Sequence, residues 1–327
     1  MSILDSVLQA VGDTPLIRLQ RLAPARLTVA VKFEATNPGS SIKDRIAVTL
    51  IEAAEREGRL RPGGTVIEAT AGNTGIGLAM VAAVKGYTAV FVVPDKMSTD
   101  KVRVLEAYGA RVVRARSDVP FDHPDSYQPT ARRLAAEIDG GCYIGQFEQP
   151  ANPAAHYART GPEIWAATSG QITHLVGGAG TGGTLSGTAR YLKERRASIT
   201  VVGADPVGSL LHGGEVSPFL VEGIGEDYVP DTFDRQLVDV WHAVSDAESF
   251  ATARALARLE GILAGGSAGT ALAAALREAG RAPDGSLMVV ILADTGRNYL
   301  SGFYNREWLQ EHCPEALSLE QTRWPRR

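Results

Sequence analysis

Cysteine is nearly missing from these 327 residues: only Cys142 and Cys313 occur, far apart and outside any CxxC pattern. That argues against a disulfide framework and against a thiolate zinc site. Long apolar runs are also missing. No stretch of 18 residues is both apolar and free of charge, so no membrane span is expected. The opening stretch MSILDSVLQAVGDTPLIRL lacks the basic flank and unbroken apolar centre of a secretory leader. Positive charge is not in surplus either. Lys and Arg number 33 against 37 Asp and Glu, a net charge of −4, which leaves no footprint for nucleic acid or an anionic membrane. There is no low-complexity linker and no solenoid repeat. A cytoplasmic protein with small-molecule partners is the expectation.

Glycine, by contrast, is plentiful at 35 residues, and much of it gathers where β-branched runs meet helical periodicity. Residues 27–34, 65–70, 89–94, 111–115, 173–178, 200–205 and 286–294 read as strands, with helical stretches between them. Strands alternating with helices imply a mainly parallel sheet covered on both faces, with ligands beyond the carboxyl ends of the strands. The length suits two domains. Residues 122–129 read as a surface loop, and residues 207–230 as a long, Gly-rich loop that carries function.

Four motifs fall at strand ends. In the first, Asn37-Pro38-Gly39-Ser40-Ser41-Ile42-Lys43-Asp44-Arg45, the turn signal Asn-Pro-Gly precedes a helix that Ser40 or Ser41 is able to cap. Lys43 then lies in the first turn, where a cation is electrostatically disfavoured. An imine-forming lysine gains from a site that lowers its pKa, because the free amine is the nucleophile and base. An exposed lysine beside Asp44 and Arg45 is the plain alternative. Thr70-Ala71-Gly72-Asn73-Thr74-Gly75 joins a strand to a helix and offers converging backbone N–H groups to a carboxylate. A tight turn with no ligand would read the same. Gly177-Gly178-Ala179-Gly180-Thr181-Gly182-Gly183-Thr184 repeats the arrangement with two hydroxyls, a natural seat for phosphate. Gly178, Gly180 and Gly183 also match G-x-G-x-x-G, with Asp205 placed as a ribose-binding acid. A dinucleotide-dependent oxidoreductase is therefore a rival reading of this loop. The fourth, Gly265-Gly266-Ser267-Ala268-Gly269-Thr270, opens an Ala-rich helix. Close helix packing explains its small residues, and a hydroxyl aimed at a planar ligand is the functional alternative.

Together and in this order, the four motifs resemble the pyridoxal-phosphate β-family that contains cysteine synthase and cystathionine β-synthase. The likeness runs from about Ile3 to Trp308. It implies a two-domain α/β fold like that of the tryptophan synthase β chain, with mainly parallel sheets and the cofactor in the interdomain cleft. A smaller mobile domain would span 39–147, and a larger one 1–38 with 148–327. By the resemblance, Lys43 carries pyridoxal phosphate covalently and is the catalytic base. Asn73 bonds the cofactor's 3′-oxygen, while Gly180, Thr181, Gly182, Gly183 and Thr184 hold its phosphate. Ser267 faces the pyridine nitrogen. Thr70, Ala71, Gly72 and Thr74 cradle the substrate carboxylate, with Gln146 opposite. Ala71 departs from the family's usual Ser, which removes one hydroxyl donor.

Residues 121–138, 202–209, 221–230 and 294–300 lean toward cystathionine β-synthase, whereas 146–165 fits cysteine synthase as well. The leading expectation is condensation of serine, or an activated serine, with homocysteine to give cystathionine. The alternative is cysteine synthesis from O-acetylserine and sulfide, with hydrogen sulfide released from cysteine as a side activity. In Val221–Pro230, Glu222, Gly223 and Asp227 are substrate-site candidates. With Glu226, the acids are placed to receive a substrate amino group or to assist a poor leaving group. A solvated acidic loop is the plain alternative. The resemblance also implies a homodimer. No haem-ligating segment and no S-adenosylmethionine-responsive module is expected around the core.

Overall fold

The computed structural model describes residues 3–70, 72–95, 97, 99–120 and 123–324. In chain order the strands are β1 Leu16–Arg18, β2 Thr28–Phe33, β3 Thr65–Ala69, β4 Thr88–Pro94, β5 Arg111–Ala115, β6 Gly141–Tyr143, β7 His174–Gly178, β8 Thr200–Pro206, β9 Val240–Val244 and β10 Leu287–Leu292. The helices are α1 Lys43–Arg56, α2 Asn73–Lys85, α3 Thr99–Ala107, α4 Tyr127–Glu137, α5 Ala151–Ala155, α6 Gly161–Ala167, α7 Gly183–Arg195, α8 Asp246–Glu260, α9 Gly266–Ala279, α10 Arg306–His312 and α11 Pro314–Arg323. They divide between two compact units, Met1–Gly12 with Asn37–Ala155, and Asp13–Thr36 with His156–Arg327.

The first unit holds a four-stranded parallel sheet in the order β5-β4-β3-β6. Every residue of β3 is buried, as expected of a strand covered on both faces. Helix α1 presents Ile46, Leu50, Ile51 and Ala54 at three- and four-residue spacing. These pack with Val66, Leu78, Phe91 and Leu105 into one core. Gly86, at φ +77°, closes α2 in the left-handed conformation that glycine adopts without steric cost.

The second unit holds a six-stranded sheet, β1-β2-β10-β7-β8-β9, in which only β1 runs antiparallel. β2 pairs with β10 in register Thr28 to Leu287. Its core draws Val29, Val31, Val176, Val202 and Val290 from the strands and a run of alanines from α9. Lys32, on the opposite face of β2 from Val29 and Val31, is 2% exposed and meets the Glu163 carboxylate at 2.7 Å.

The seven strands read from sequence are present within one or two residues. Three more, β1, β6 and β9, escaped that reading. Two of them are three residues long, and the third, VWHAV, carries Trp and His in place of a continuous aliphatic run. The loop expected over 122–129 is shorter, because α4 begins at Tyr127. Pro129 sits in its first turn, where a missing N–H costs the helix nothing; Asp122 lies outside the described residues. Residues 207–230 contain no helix or strand.

Candidate active site

In the first unit, Lys43 is the opening residue of α1, half-buried, with its N–H held by Ser41 Oγ at 3.1 Å. Asp44 and Arg45, the charges that would make this turn an exposed one, are both buried at 0% and 2%. The Asp44 carboxylate accepts the Gly39 N–H and lies so close to that glycine that a Cβ there would overlap it. Asn37 Oδ1 accepts from Gly12 N–H at 2.8 Å. The turn is thereby fixed from both ends, and Lys43 is carried on a rigid base.

Helix α2 starts at Asn73. One turn on, a Cβ added to Gly77 would stand 3.1 Å from the Lys43 carbonyl. Lys43 and Asn73 thus open two helices in close backbone contact. Thr70 is buried, and its Oγ1 accepts the Gly72 N–H at 3.3 Å. A Cβ built on Gly72 meets no atom within 4 Å, so this turn faces open space. Thr74 donates its hydroxyl to Gln146 Oε1 at 2.6 Å. The structure therefore brings Thr70, Gly72, Asn73, Thr74 and Gln146 together. Ala71 lies outside the described residues.

Sequence reasoning passed over Glu68, one residue from the end of β3. It is fully buried and accepts N–H groups from Ala69 at 2.9 Å, Gly145 at 2.9 Å and Gln146 at 3.1 Å. Desolvation pushes its pKa up to about 7, and these three hydrogen bonds oppose the rise. A carboxyl raised from 4.5 in this way gives stability that is complete below the unfolded value and lost as pH climbs through the folded one. Glu68→Gln removes that dependence. The stability of wild type relative to E68Q is expected to fall by about 2–3 kcal/mol between about pH 5 and about pH 8, measured by chemical unfolding of both proteins at the two values.

In the second unit, residues 177–184 run from β7 into α7. Gly182, at φ +75°, is the residue before the helix, and a Cβ there would overlap the Phe233 ring. Thr232 donates its hydroxyl to the Thr181 carbonyl at 2.5 Å, and Gly225 N–H bonds the Ala179 carbonyl at 2.8 Å. Gly180 lies against Gly223, whose carbonyl would stand 2.7 Å from a Cβ at position 180. This places Gly223 and its neighbour Glu222 beside the glycine loop. Thr184 Oγ1 meets His156 Nε2 at 3.1 Å, and His156 Nδ1 meets Thr160 Oγ1 at 3.0 Å. His156 had no motif to announce it. Gly183 and Thr184 stand in the first turn of α7, where backbone N–H groups and the helix dipole favour an anion.

Ser267 is the second residue of α9, 6% exposed, and its hydroxyl has no hydrogen-bond partner among the described residues. Close packing also holds at this helix start, since a Cβ on Gly269 would overlap the Ser249 carbonyl. Asp205, the acid that a dinucleotide site requires, is fully buried and accepts both the backbone N–H and Nδ1 of His212, at 2.9 and 2.8 Å. Glu222 and Asp227 are exposed, and Glu226 is half-buried with its backbone fixed to Ser209 and Leu210. Burial first, then the Asp294 and Glu222 carboxylates, holds the Tyr299 hydroxyl far above its ordinary range. Tyr299 donates to Asp294 at 2.7 Å, so Glu222 shares its surroundings with a neutral phenol.

Residues 7–294 match the family described as "Pyridoxal-phosphate dependent enzyme". The chain belongs to this family. Cystathionine beta-synthase of Oryctolagus cuniculus is 44% identical over 98% of this chain and 61% of its own length. The chain thus spans about three fifths of that relative. O-acetylserine dependent cystathionine beta-synthase of Bacillus subtilis is 40% identical over 92% of this chain and 97% of its own. The crystal structure of O-ureido-L-serine synthase superposes with a TM-score of 0.88 at 39% identity, covering 92% of this chain and 95% of that one.

The donor set of this pyridoxal-phosphate dependent enzyme fits its cofactor. A glycine-lined helix start with the Thr181 and Thr184 hydroxyls suits a phosphate, and the nearly buried Ser267 hydroxyl suits a ring nitrogen. A Cβ on Gly223, at φ +84°, would meet nothing within 4 Å, so the loop beside Gly180 keeps open space. Among the described residues, no group of His, Cys, Asp and Glu is arranged to hold a metal ion, and no helix is long and apolar enough to cross a membrane.

Proposed function

We propose that this enzyme catalyses β-replacement, condensing L-serine or an activated serine with L-homocysteine to give cystathionine. Lys43 carries the cofactor, which supplies an electron sink when bound. Asn73, the 180–184 loop and Ser267 orient it. The Lys43 amine, at the start of α1, is the base that takes the substrate's α-proton. Thr70, Ala71, Gly72, Thr74 and Gln146 bind the α-carboxylate. Glu222 and Asp227 receive the amino group of homocysteine. The proposal includes a cytoplasmic homodimer acting on small amino-acid and thiol substrates.

The reading is carried by the Thr70–Thr74 turn, whose Thr74 bonds Gln146 and whose helix α2 abuts Lys43. Beside that geometry stand two relatives named for cystathionine synthesis, one matched over nearly its whole length. The likeness to O-ureido-L-serine synthase supports a second reading, in which the nucleophile is other than homocysteine, and the name of the Bacillus subtilis relative supports O-acetylserine as the donor. Sulfide, giving cysteine, is the simplest such case, and cysteine run in the reverse sense releases hydrogen sulfide. Product analysis separates the two readings. Serine, O-acetylserine and cysteine are each offered homocysteine and sulfide, and cystathionine is expected as the fastest-formed product. Rapid cysteine formation from O-acetylserine and sulfide, without cystathionine, would favour the second reading and overturn the first.

A further inference from the structure

A carboxylate inside the central strand of a sheet is an expensive choice, because a valine there would add packing and carry no desolvation cost. Glu68 repays that cost through one arrangement. The N–H of Ile144 still pairs with the Ile67 carbonyl at 3.0 Å, continuing the ladder from β6. At Gly145 the chain turns out of the sheet, and the next two N–H groups lose their backbone acceptors. Glu68 Oε2 takes both, while Oε1 takes the Ala69 N–H at the mouth of the Thr70–Thr74 turn. One side chain therefore ties the two halves of the carboxylate cradle to each other. Gln146 is held further by Asn152 Nδ2, which donates to its carbonyl at 2.8 Å, and by the Thr74 hydroxyl on its side-chain oxygen.

We infer that ionised Glu68 is a positioning residue which sets the enzyme's affinity for the α-carboxylate of its amino-acid substrate by holding Gln146 against the Thr70–Thr74 turn. This rests on the carboxylate site proposed above. Protonation removes the charge that these three N–H groups address, so the bonds weaken and the cradle loosens. The charged and titratable groups around Glu68 are Glu148, Tyr143, Arg132 and Cys142. Arg132 pairs with Glu148 and lies 4.6 Å over the Tyr143 ring. The two opposite charges nearest Glu68 are thereby matched to each other, and burial leaves its carboxyl poised close to neutrality.

The test uses holoenzyme. Dissociation constants for L-serine, O-acetylserine and L-cysteine are read from the change in visible absorbance of wild type, E68Q, Q146A and the double variant, from about pH 6 to about pH 9, with kcat and KM measured beside them. E68Q is expected to raise Kd and KM about tenfold while kcat changes less than about threefold. In wild type, Kd is expected to rise as pH falls through neutrality, and in E68Q that rise is absent. On the Q146A background, E68Q is expected to add less than about twofold. If E68Q does not accumulate as folded protein, the pH dependence of Kd in wild type and its loss in Q146A make the same test. A wild-type response that is flat with pH, an unchanged Kd in E68Q, or full additivity with Q146A would overturn the inference and leave the proposed function standing. No absorbance change in wild type with any of the three amino acids would overturn the carboxylate site itself, and this inference with it.

Discussion

Lys43→Ala is expected to lower turnover by at least about 10³-fold, since it removes both the nucleophile that holds the cofactor and the base that takes the α-proton. The visible absorbance of the pyridoxal-phosphate adduct should vanish with it, and borohydride should no longer fix cofactor to the chain. The fold should survive. Lys43 is half-buried at the first position of α1, where alanine is the better helix former and a cation opposes the dipole. With cofactor removed from both proteins, thermal unfolding of K43A is therefore expected close to that of wild type. Wild-type turnover by this variant would remove lysine 43 from the chemistry.

Gly182→Ala should produce the second-largest effect. The position has φ +75°, and a Cβ would overlap the Phe233 side chain. Left-handed strain costs roughly 1–2 kcal/mol for an L residue, and crowding against a ring adds roughly 1–3 kcal/mol. The loss should appear both as a lower melting temperature and as weaker uptake of pyridoxal phosphate, because the strained loop is the one proposed to hold the phosphate. Gly58→Ala provides the control. Gly58 has a similar φ of +72° but no atom within 4 Å of its missing Cβ, so it should show the strain alone and leave cofactor uptake unchanged.

The parallel plan of the sheets was legible because β-branched runs such as TVIEA and HLVGG lead into glycine-rich turns. The first three motifs were legible for the same reason, each breaking the periodicity between a strand and a helix; the fourth, expected at a strand end, lies instead between α8 and α9. Their roles were not readable one at a time. A glycine loop with two threonines accepts any phosphate, and only the order of all four narrowed the choice to one cofactor. Charges misled more than apolar residues did. Lys43-Asp44-Arg45 reads as a solvated turn, yet Asp44 is consumed by the Gly39 N–H. Glu68 drew no reading at all, since nothing in TVIEAT says that the N–H groups of residues 145 and 146 will converge on it. His156 opens a π-helical turn, His156–Thr160, that no local pattern announces, and gains meaning through Thr184, 28 residues on. Contacts of that kind are set by tertiary packing and leave no local pattern.

The pairing of β2 with β10 bears on how the polypeptide matures. Thr28 waits for Leu287, so Val29 and Val31 emerge with only β1 and Leu19, Leu22 and Leu27 beside them and gain their second partner strand much later. Residues 37–155, meanwhile, contain a whole sheet of their own and can close while translation continues. Vectorial folding therefore starts in the middle of the chain, and β2 is the segment in most need of a chaperone until the last strand arrives.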